Sequence, residues 1–246
     1  MLKLLTYNTL HCAHCQPEKN GAPGEIDFDA IADVIRSFDA DVVGLNEIRG
    51  QAPIDAPRAE EFQDQAKILA EKAGYPYYYF ARAIDVPGGG PYGNALLSRY
   101  PILHTQIIPI PDPVTRNGKR RYESRCILKV QLDVPGGFTV LVTHFGVNPD
   151  EEECAVQAVL SNVEPERCAV MGDFNTSPDS GILEPMQALL YDTAQRFSQP
   201  RLSFPAFAPE VKIDYIFTTK DCPVLAADID SVVISDHCPH WAVLDL

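Results

Sequence analysis

Polar residues of a few kinds stand where the apolar runs of this chain stop. Asn8 closes "KLLTYN", Glu47 closes "DVVGLNE", His144 closes "FTVLVTH", and Asp173 and Asn175 close "CAVMGDFN". Asp214 lies inside "KIDYIF", and "SDHCPHW" places Asp236 and His237 just before the last run. In layered α/β proteins ligands gather where several strand ends converge, so these residues are expected to meet in one pocket. Glu47 and Asp236, helped by the amide of Asn8, form the sparse oxygen set that suits a hard, water-retaining cation, Mg²⁺ first and Mn²⁺ as its substitute. The carboxylates of Glu47, Asp173, Asp214 and Asp236 would repel an anionic substrate unless a cation came first. That requirement points to metal-assisted attack on a phosphoester. Taken singly, each residue also has a plainer role: Asp173 as a turn or helix cap, Asn8 as a turn residue, Asp214 as a satisfied strand-end acid, His144 as a structural imidazole. The plainer roles must then explain acids and imidazoles at the ends of at least five separate apolar runs.

The elements that would position these residues follow from periodicity. Ile31, Val34, Ile35 and Phe38 make a helical stripe behind Asp27 or Asp29, and Phe62, Ala66, Leu69, Ala70 and Ala73 make a second that stops at Gly74. A third stripe runs through Val156, Val159, Leu160 and Val163, with Asp150 and Glu153 spaced as a capping box. Strand-like runs are "LKLLTY", "DVVGL", "YPYYYFA", "NALLS", "CILKVQL", "FTVLVT", "CAVMG", "KIDYIF" and "WAVLDL". Strands outnumber helices, which suggests two packed sheets with helices outside them. No linker or repeat divides the chain, so a single domain over 1–246 is expected. Residues 85–93 and 108–123 read as long surface loops.

Composition narrows the partners. The 46% hydrophobic content of the 246 residues allows a large core, and 34 acidic against 20 basic residues give a net charge of -14. An acidic surface disfavours sequence-independent nucleic-acid binding and anionic membranes, although a bound cation reverses the local field. No stretch reaches the roughly 20 apolar residues of a membrane span. The start "MLKLLTYN" lacks a signal peptide's apolar region and cleavage site. A cytoplasmic monomer without integral membrane association is expected. Seven cysteines fit free thiols rather than a disulfide framework.

The motifs "TYN" (6–8), "LNE" (45–47), "YGNALLSRYPI" (92–102), "ESR" (123–125), "THF" (143–145), "GDFN" (172–175), "IDYIF" (213–217) and "SDH" (235–237) occur in an order that resembles the endonuclease/exonuclease/phosphatase superfamily of divalent-metal phosphohydrolases. The resemblance implies a four-layer α/β/β/α sandwich of two mixed or mainly antiparallel sheets. It also implies roles. Glu47 would be the principal metal ligand with Asn8 and Asp236 beside it. Asp173 would orient and deprotonate the attacking water, and Asn175 would hold water or phosphate. His237, oriented by Asp214, would contact the phosphate. His144 would donate to a phosphate oxygen or the leaving group, Asn94 would orient it, and Arg125 would support the acidic cluster. The His of "THF" is similar to that of the deoxyribonuclease, deadenylase, sphingomyelinase, inositol-polyphosphate phosphatase and tyrosyl-DNA phosphodiesterase branches, where abasic-site enzymes carry Tyr.

The expected activity is thus a divalent-metal-dependent phosphodiesterase, acting as a nuclease on DNA or RNA or on a phospholipid or inositol-phosphate head group. Arg116, Lys119, Arg120, Arg121 and Arg125 form the only concentrated basic stretch, either a phosphate-guiding lip or a solvated loop. The aromatic run Tyr75, Tyr77, Tyr78, Tyr79 and Phe80 reads as core rather than as a base-stacking surface. The cluster "HCAHC" leaves another class open, a zinc-binding or non-catalytic protein built on Cys12 and Cys15, with Cys238 and His240 as the nearest completing ligands. The competing reading makes it the loop leaving the first strand, with His11 on the substrate side and Cys12 and Cys15 able to join under oxidation.

Overall fold

The computed structural model describes residues 1–56, 59, 62–87 and 89–246. In chain order the strands are β1 (Leu2–Asn8), β2 (Ala13–Gln16), β3 (Ala22–Ile26), β4 (Val42–Arg49), β5 (Tyr77–Asp85), β6 (Pro91–Ser98), β7 (Ile102–Pro109), β8 (Cys126–Leu132), β9 (Phe138–His144), β10 (Cys168–Asp173), β11 (Tyr191–Asp192), β12 (Asp214–Thr218), β13 (Val224–Ile229) and β14 (His240–Leu244). The helices are α1 (Phe28–Phe38), α2 (Gln65–Ala73), α3 (Pro149–Leu160) and α4 (Glu184–Leu189). One mixed sheet runs β13-β14-β1-β4-β6-β5, a second runs β11-β12-β10-β9-β8-β7, and β2-β3 form a small ribbon.

Alternating side chains explain the four layers. Leu4, Val42 and Leu96 of the first sheet meet Leu128, Val130, Val142 and Met171 of the second in one core. Their neighbours Leu5, Val43 and Leu97 face the other way, onto Ile31, Ile35 and Leu69 of α1 and α2. On the far side Leu141, Val170 and Phe217 lie under Val156, Val159 and Met186 of α3 and α4. Each such fully buried side chain contributes about 1.5–3 kcal/mol. The sheets approach closely near the site. A Cβ at Gly44 would stand 2.7 Å from Met171 Cε of the other sheet, and one at Gly172, whose φ is +146°, would stand 3.2 Å from Asn46 Oδ1 of the other sheet and 1.8 Å from the carbonyl oxygen of Thr143 on its own neighbouring strand.

The parallel pair β1–β4 and the parallel pair β9–β10 end side by side, Asn8 level with Asn46 and Asp173 level with His144. Antiparallel β12 brings Asp214 opposite Asp173. This register, rather than any one loop, carries the polar strand ends to a common rim. Among the described residues no helix is long and apolar enough to cross a membrane.

Several local expectations shift. Asp27 caps α1, accepting from Ala30 N at 2.9 Å. Phe62 lies before α2 rather than in it, and Val163 lies beyond α3. The N-cap of α3 is Asn148, whose backbone N–H donates to Glu151 at 3.3 Å, while Asp150 accepts instead from Asn117 N and the Tyr122 hydroxyl. The expected pairing of Asp150 with Glu153 is therefore displaced by two residues. β5 is an edge strand, so Tyr77 and Tyr78 are 39% and 37% exposed; of the aromatic run only Tyr75 is fully in the core. The strands β5 and β6 extend into the stretch 85–93, of which Gly88 lies outside the described residues.

Candidate active site

Asn8, at the end of β1, is 1% exposed and lies at the middle of the cluster. Its Nδ2 donates to Asp173 Oδ2 at 3.0 Å and to Glu47 Oε1 at 3.3 Å, and stands 3.4 Å from His237 Nε2. Its Oδ1 accepts from Leu10 N at 3.2 Å. Asn8 is thus a donor to the acids in this arrangement, and ligation of a metal through Oδ1 requires the amide to turn over and give up Leu10.

Glu47 sits in a bulge of β4, between Leu45 and Ile48, with φ at +61°. A left-handed non-glycine residue is strained, and the bulge uses that strain to turn the carboxylate out of the strand's alternation. Burial opposes ionisation of Glu47, but the hydrogen bond from His11 and the imidazoles of His144 and His237 hold it well below the usual carboxylate range. His11 Nδ1 lies 3.7 Å from Glu47 Oε2. Asp236 is held by Ser235 Oγ at 3.2 Å. Burial pushes its carboxyl up, and the charge of Glu47 pushes the same way. An ionised Glu47 whose charge raises the neighbouring Asp236 in a pocket poor in water is what a divalent cation neutralises, so the donor set of Glu47 and Asp236 fits such an ion.

The second carboxylate group has another character. His237 Nδ1 donates to Asp214 Oδ2 at 2.9 Å, and His237 Nε2 is 3.6 Å from Asp173 Oδ2. Burial opposes charge on His237, yet Asp214 and then Asp173 raise it to about 10, so it is an imidazolium at neutral pH. Burial raises Asp173 to about 7, against the pull of His237. Asp173, Asp214 and His237 hold ligand atoms within 4.8 Å of one another. Because the imidazole already spends Nδ1 on Asp214, this trio reads as a proton-handling unit rather than the cation's seat.

His144 faces the trio from β9, with Nε2 3.4 Å from Asp173 Oδ2 and Nδ1 3.4 Å from Arg125 Nη1. Burial, then the Arg125 charge, pushes it well below its ordinary range, so the ring is neutral. Arginine can only donate, so Nδ1 accepts and the proton resides on Nε2, facing the pocket. Arg125 also meets Glu123 at 3.3 Å, and its buried Nε has no hydrogen-bond partner among the described residues. Asn175, with φ at +51°, donates its backbone N–H to Asp173 Oδ1 at 2.9 Å and its Nδ2 to Phe145 O at 3.1 Å. Asn94 does not reach His144 in this arrangement. Its Oδ1 accepts from Asn46 and its Nδ2 donates to Cys126 O, both at 2.9 Å, which spends the amide on the seam between sheets.

Two neighbours carried no expected role. Asn46, fully buried, donates from Nδ2 to Asn94 Oδ1 and Thr143 O and accepts at Oδ1 from Asp173 N, all at 2.9 Å. Its signal was a polar side chain beside Glu47 in an otherwise apolar strand. Tyr92 borders Glu47, and burial together with that charge pushes its hydroxyl well above the ordinary range.

The zinc alternative fails on placement. Cys12 packs in the core with Ile31 and Ile35, Cys15 packs with Leu10, Ala13 and Phe207, and Cys238 packs with Ala206 and Ile229. His14 pairs with Asp27 at 3.0 Å, and His240 stands 3.1 Å from Thr193 Oγ1. The basic stretch is also weaker than expected as a positive lip, since Arg116 pairs with Asp112 and both Arg121 and Arg125 pair with Glu123.

A family model described as the Endonuclease/Exonuclease/phosphatase family matches residues 5–237. The chain belongs to this family. Members of this endonuclease/exonuclease/phosphatase family are hydrolases that act on phosphoesters, and they typically use a divalent metal. The chain is 26% identical over 230 residues to the uncharacterized protein YbhP of Escherichia coli (strain K12), across 88% of this chain and 87% of that one. An endonuclease/exonuclease/phosphatase structure from Beutenbergia cavernae superposes with a TM-score of 0.78 at 27% identity, covering 100% of this chain and 71% of that chain. A mannosyl-6-phosphatase of Bacteroides thetaiotaomicron superposes with a TM-score of 0.75 at 16% identity, covering 100% of both chains, which speaks to the fold alone. The four-layer sandwich expected from the motifs is the fold observed.

Proposed function

We propose that this member of the family is a Mg²⁺-dependent phosphodiesterase with its single catalytic domain in residues 1–246. The observation that carries the reading is the position of Asn8, one amide within 3.4 Å of Glu47, Asp173 and His237, so that cation seat, base and phosphate-binding imidazolium border one point. Glu47 and Asp236 would hold the metal, with Asn8 joining if its amide turns. When bound, the ion supplies Lewis-acid polarisation of a phosphoryl oxygen and charge neutralisation.

The protein's own groups divide the remaining work. Asp173, raised to about 7, takes a proton from the attacking water near neutral pH. Its Oδ1 is fixed by Asn175 N, which leaves Oδ2 turned toward the two imidazoles. His237, charged and locked by Asp214, presents Nε2–H to a phosphoryl oxygen. Neutral His144 presents its own Nε2–H to a second oxygen or to the leaving group, with Arg125 fixing the tautomer.

The test is a metal-dependent assay against an aryl phosphodiester, an aryl phosphomonoester, single-stranded DNA and sphingomyelin. Diester hydrolysis that requires Mg²⁺ and is lost in Asp173→Asn and His237→Ala supports the reading; the DNA and lipid arms decide between nuclease and head-group hydrolase. Activity on the monoester alone, or activity unchanged in both variants, overturns it.

A further inference from the structure

We propose that Gln65 is a positioning residue that holds His11 against the carboxylate of Glu47. The inference rests on the phosphodiesterase reading and names a part of that site's support.

Gln65 opens α2 and is fully buried, an unusual place for a side chain of this type. Its Nε2 donates to His11 O at 2.9 Å, and its Oε1 accepts from Arg49 N at 2.8 Å. One amide is therefore spent on the two chain segments that flank Glu47, the turn after β1 and the exit from the β4 bulge. The turn needs the support. Leu10, His11 and Cys12 have φ values of 49°, 45° and 65°, three successive side-chain-bearing residues in the left-handed region. A run of that kind persists only where its surroundings hold it. Leu10 N is held by Asn8 Oδ1 and Cys12 O by Asp27 N; Gln65 supplies the bond at the middle residue. That middle residue is the one whose imidazole stands 3.7 Å from Glu47. Through this one side chain α2, otherwise a packing helix, reaches the site.

Gln65→Glu separates the two bonds, since it keeps an oxygen for Arg49 N and sets an oxygen against the carbonyl of His11. With Mg²⁺ and bis(p-nitrophenyl) phosphate, Gln65→Glu should lower kcat/KM about tenfold, the weight of one lost hydrogen bond. His11→Ala should lower it to a similar degree, and the double variant should lose no more than His11→Ala alone. A multiplicative loss in the double variant, or full activity in a folded Gln65→Glu protein, overturns the proposal. A second measurement needs no turnover: the imidazole Hε1 resonance of His11 in metal-free protein should move to the position of free histidine in Gln65→Glu and stay in Asp173→Asn. Gln65→Met serves the same spectrum if the Glu variant fails to fold. Should the wild type hydrolyse no diester, the phosphodiesterase reading falls while the spectrum still decides Gln65; an unmoved His11 resonance overturns the positioning role.

Discussion

Asn46→Ala should be among the most damaging substitutions that leave every proposed ligand and proton donor in place. The wild-type amide makes three bonds of 2.9 Å, to Asn94 Oδ1, Thr143 O and Asp173 N, in a position with no solvent exposure. Each bond is worth about 1 kcal/mol net, and each stranded partner adds part of a desolvation cost of about 1–3 kcal/mol, so a loss of about 3–5 kcal/mol is expected. For a chain of this size that lowers Tm by about 10 °C. Activity should fall as well, by at least about tenfold, because Asp173 N loses the acceptor that fixes the backbone bearing the base. Urea unfolding followed by circular dichroism gives the stability, provided m is unchanged. Asn94→Ala, which loses its bonds to Asn46 and Cys126, should cost about 2–3 kcal/mol, and the double variant should cost about 1 kcal/mol less than the sum because one bond is shared. A loss under about 1 kcal/mol for Asn46→Ala, or strict additivity of the pair, would refute the reasoning.

Three further outcomes are expected. His237 is raised from 6.5 to about 10, so the stability it contributes is complete below its unfolded value and is lost as pH rises toward about 10; His237→Gln should flatten the decline in urea midpoint between pH 7 and 10, and parallel declines would contradict this. Glu47→Gln should raise the Mg²⁺ concentration needed for half-maximal thermal stabilisation about tenfold or more, equal to about 1.4 kcal/mol, and an unchanged midpoint would remove Glu47 from the cation seat. Cys12 lies in the core under α1 while Cys15 packs with Phe207, so mild oxidant should form no bond between them by thiol mapping, and Cys12→Ser should cost about 1–3 kcal/mol for burying a hydroxyl.

What could be read from the chain and what could not differ in physical kind. Asn8, Glu47, Asp173, Asp214, Asp236 and both site histidines were visible because a charged or amide side chain at the end of an apolar run is a local anomaly. The apolar runs were visible for the same reason, since burial on both faces leaves an unbroken hydrophobic signature in β1, β9 and β10. β2, β3, β7, β11 and β13 were missed because short or half-exposed strands owe their geometry to a partner rather than to composition. The aromatic run shows the same limit: "YYYF" alternates as a core strand does, but β5 has a neighbour on one side only, and no property of its own residues records that.

The amides of Asn46, Asn94 and Gln65 mark the deeper gap. Each is buried, and each joins segments far apart in the chain: Asn46 to Asp173, Asn94 to Cys126, Gln65 to both His11 and Arg49. Their residue type is as common in loops as in cores, so only the three-dimensional register reveals that both ends of the amide are used. "HCAHC" was misleading in the opposite sense. Its soft side chains suggested a shared ligand, whereas three left-handed residues in succession send His11 to the acids and Cys12 into the core. Groups that would touch a phosphoester must be chemically distinctive to do so, and a sequence displays them. Groups that hold those in place need only a hydrogen-bond donor and acceptor at the right depth, which is why the scaffold of this site, Asn46 and Gln65 above all, had to come from the fold.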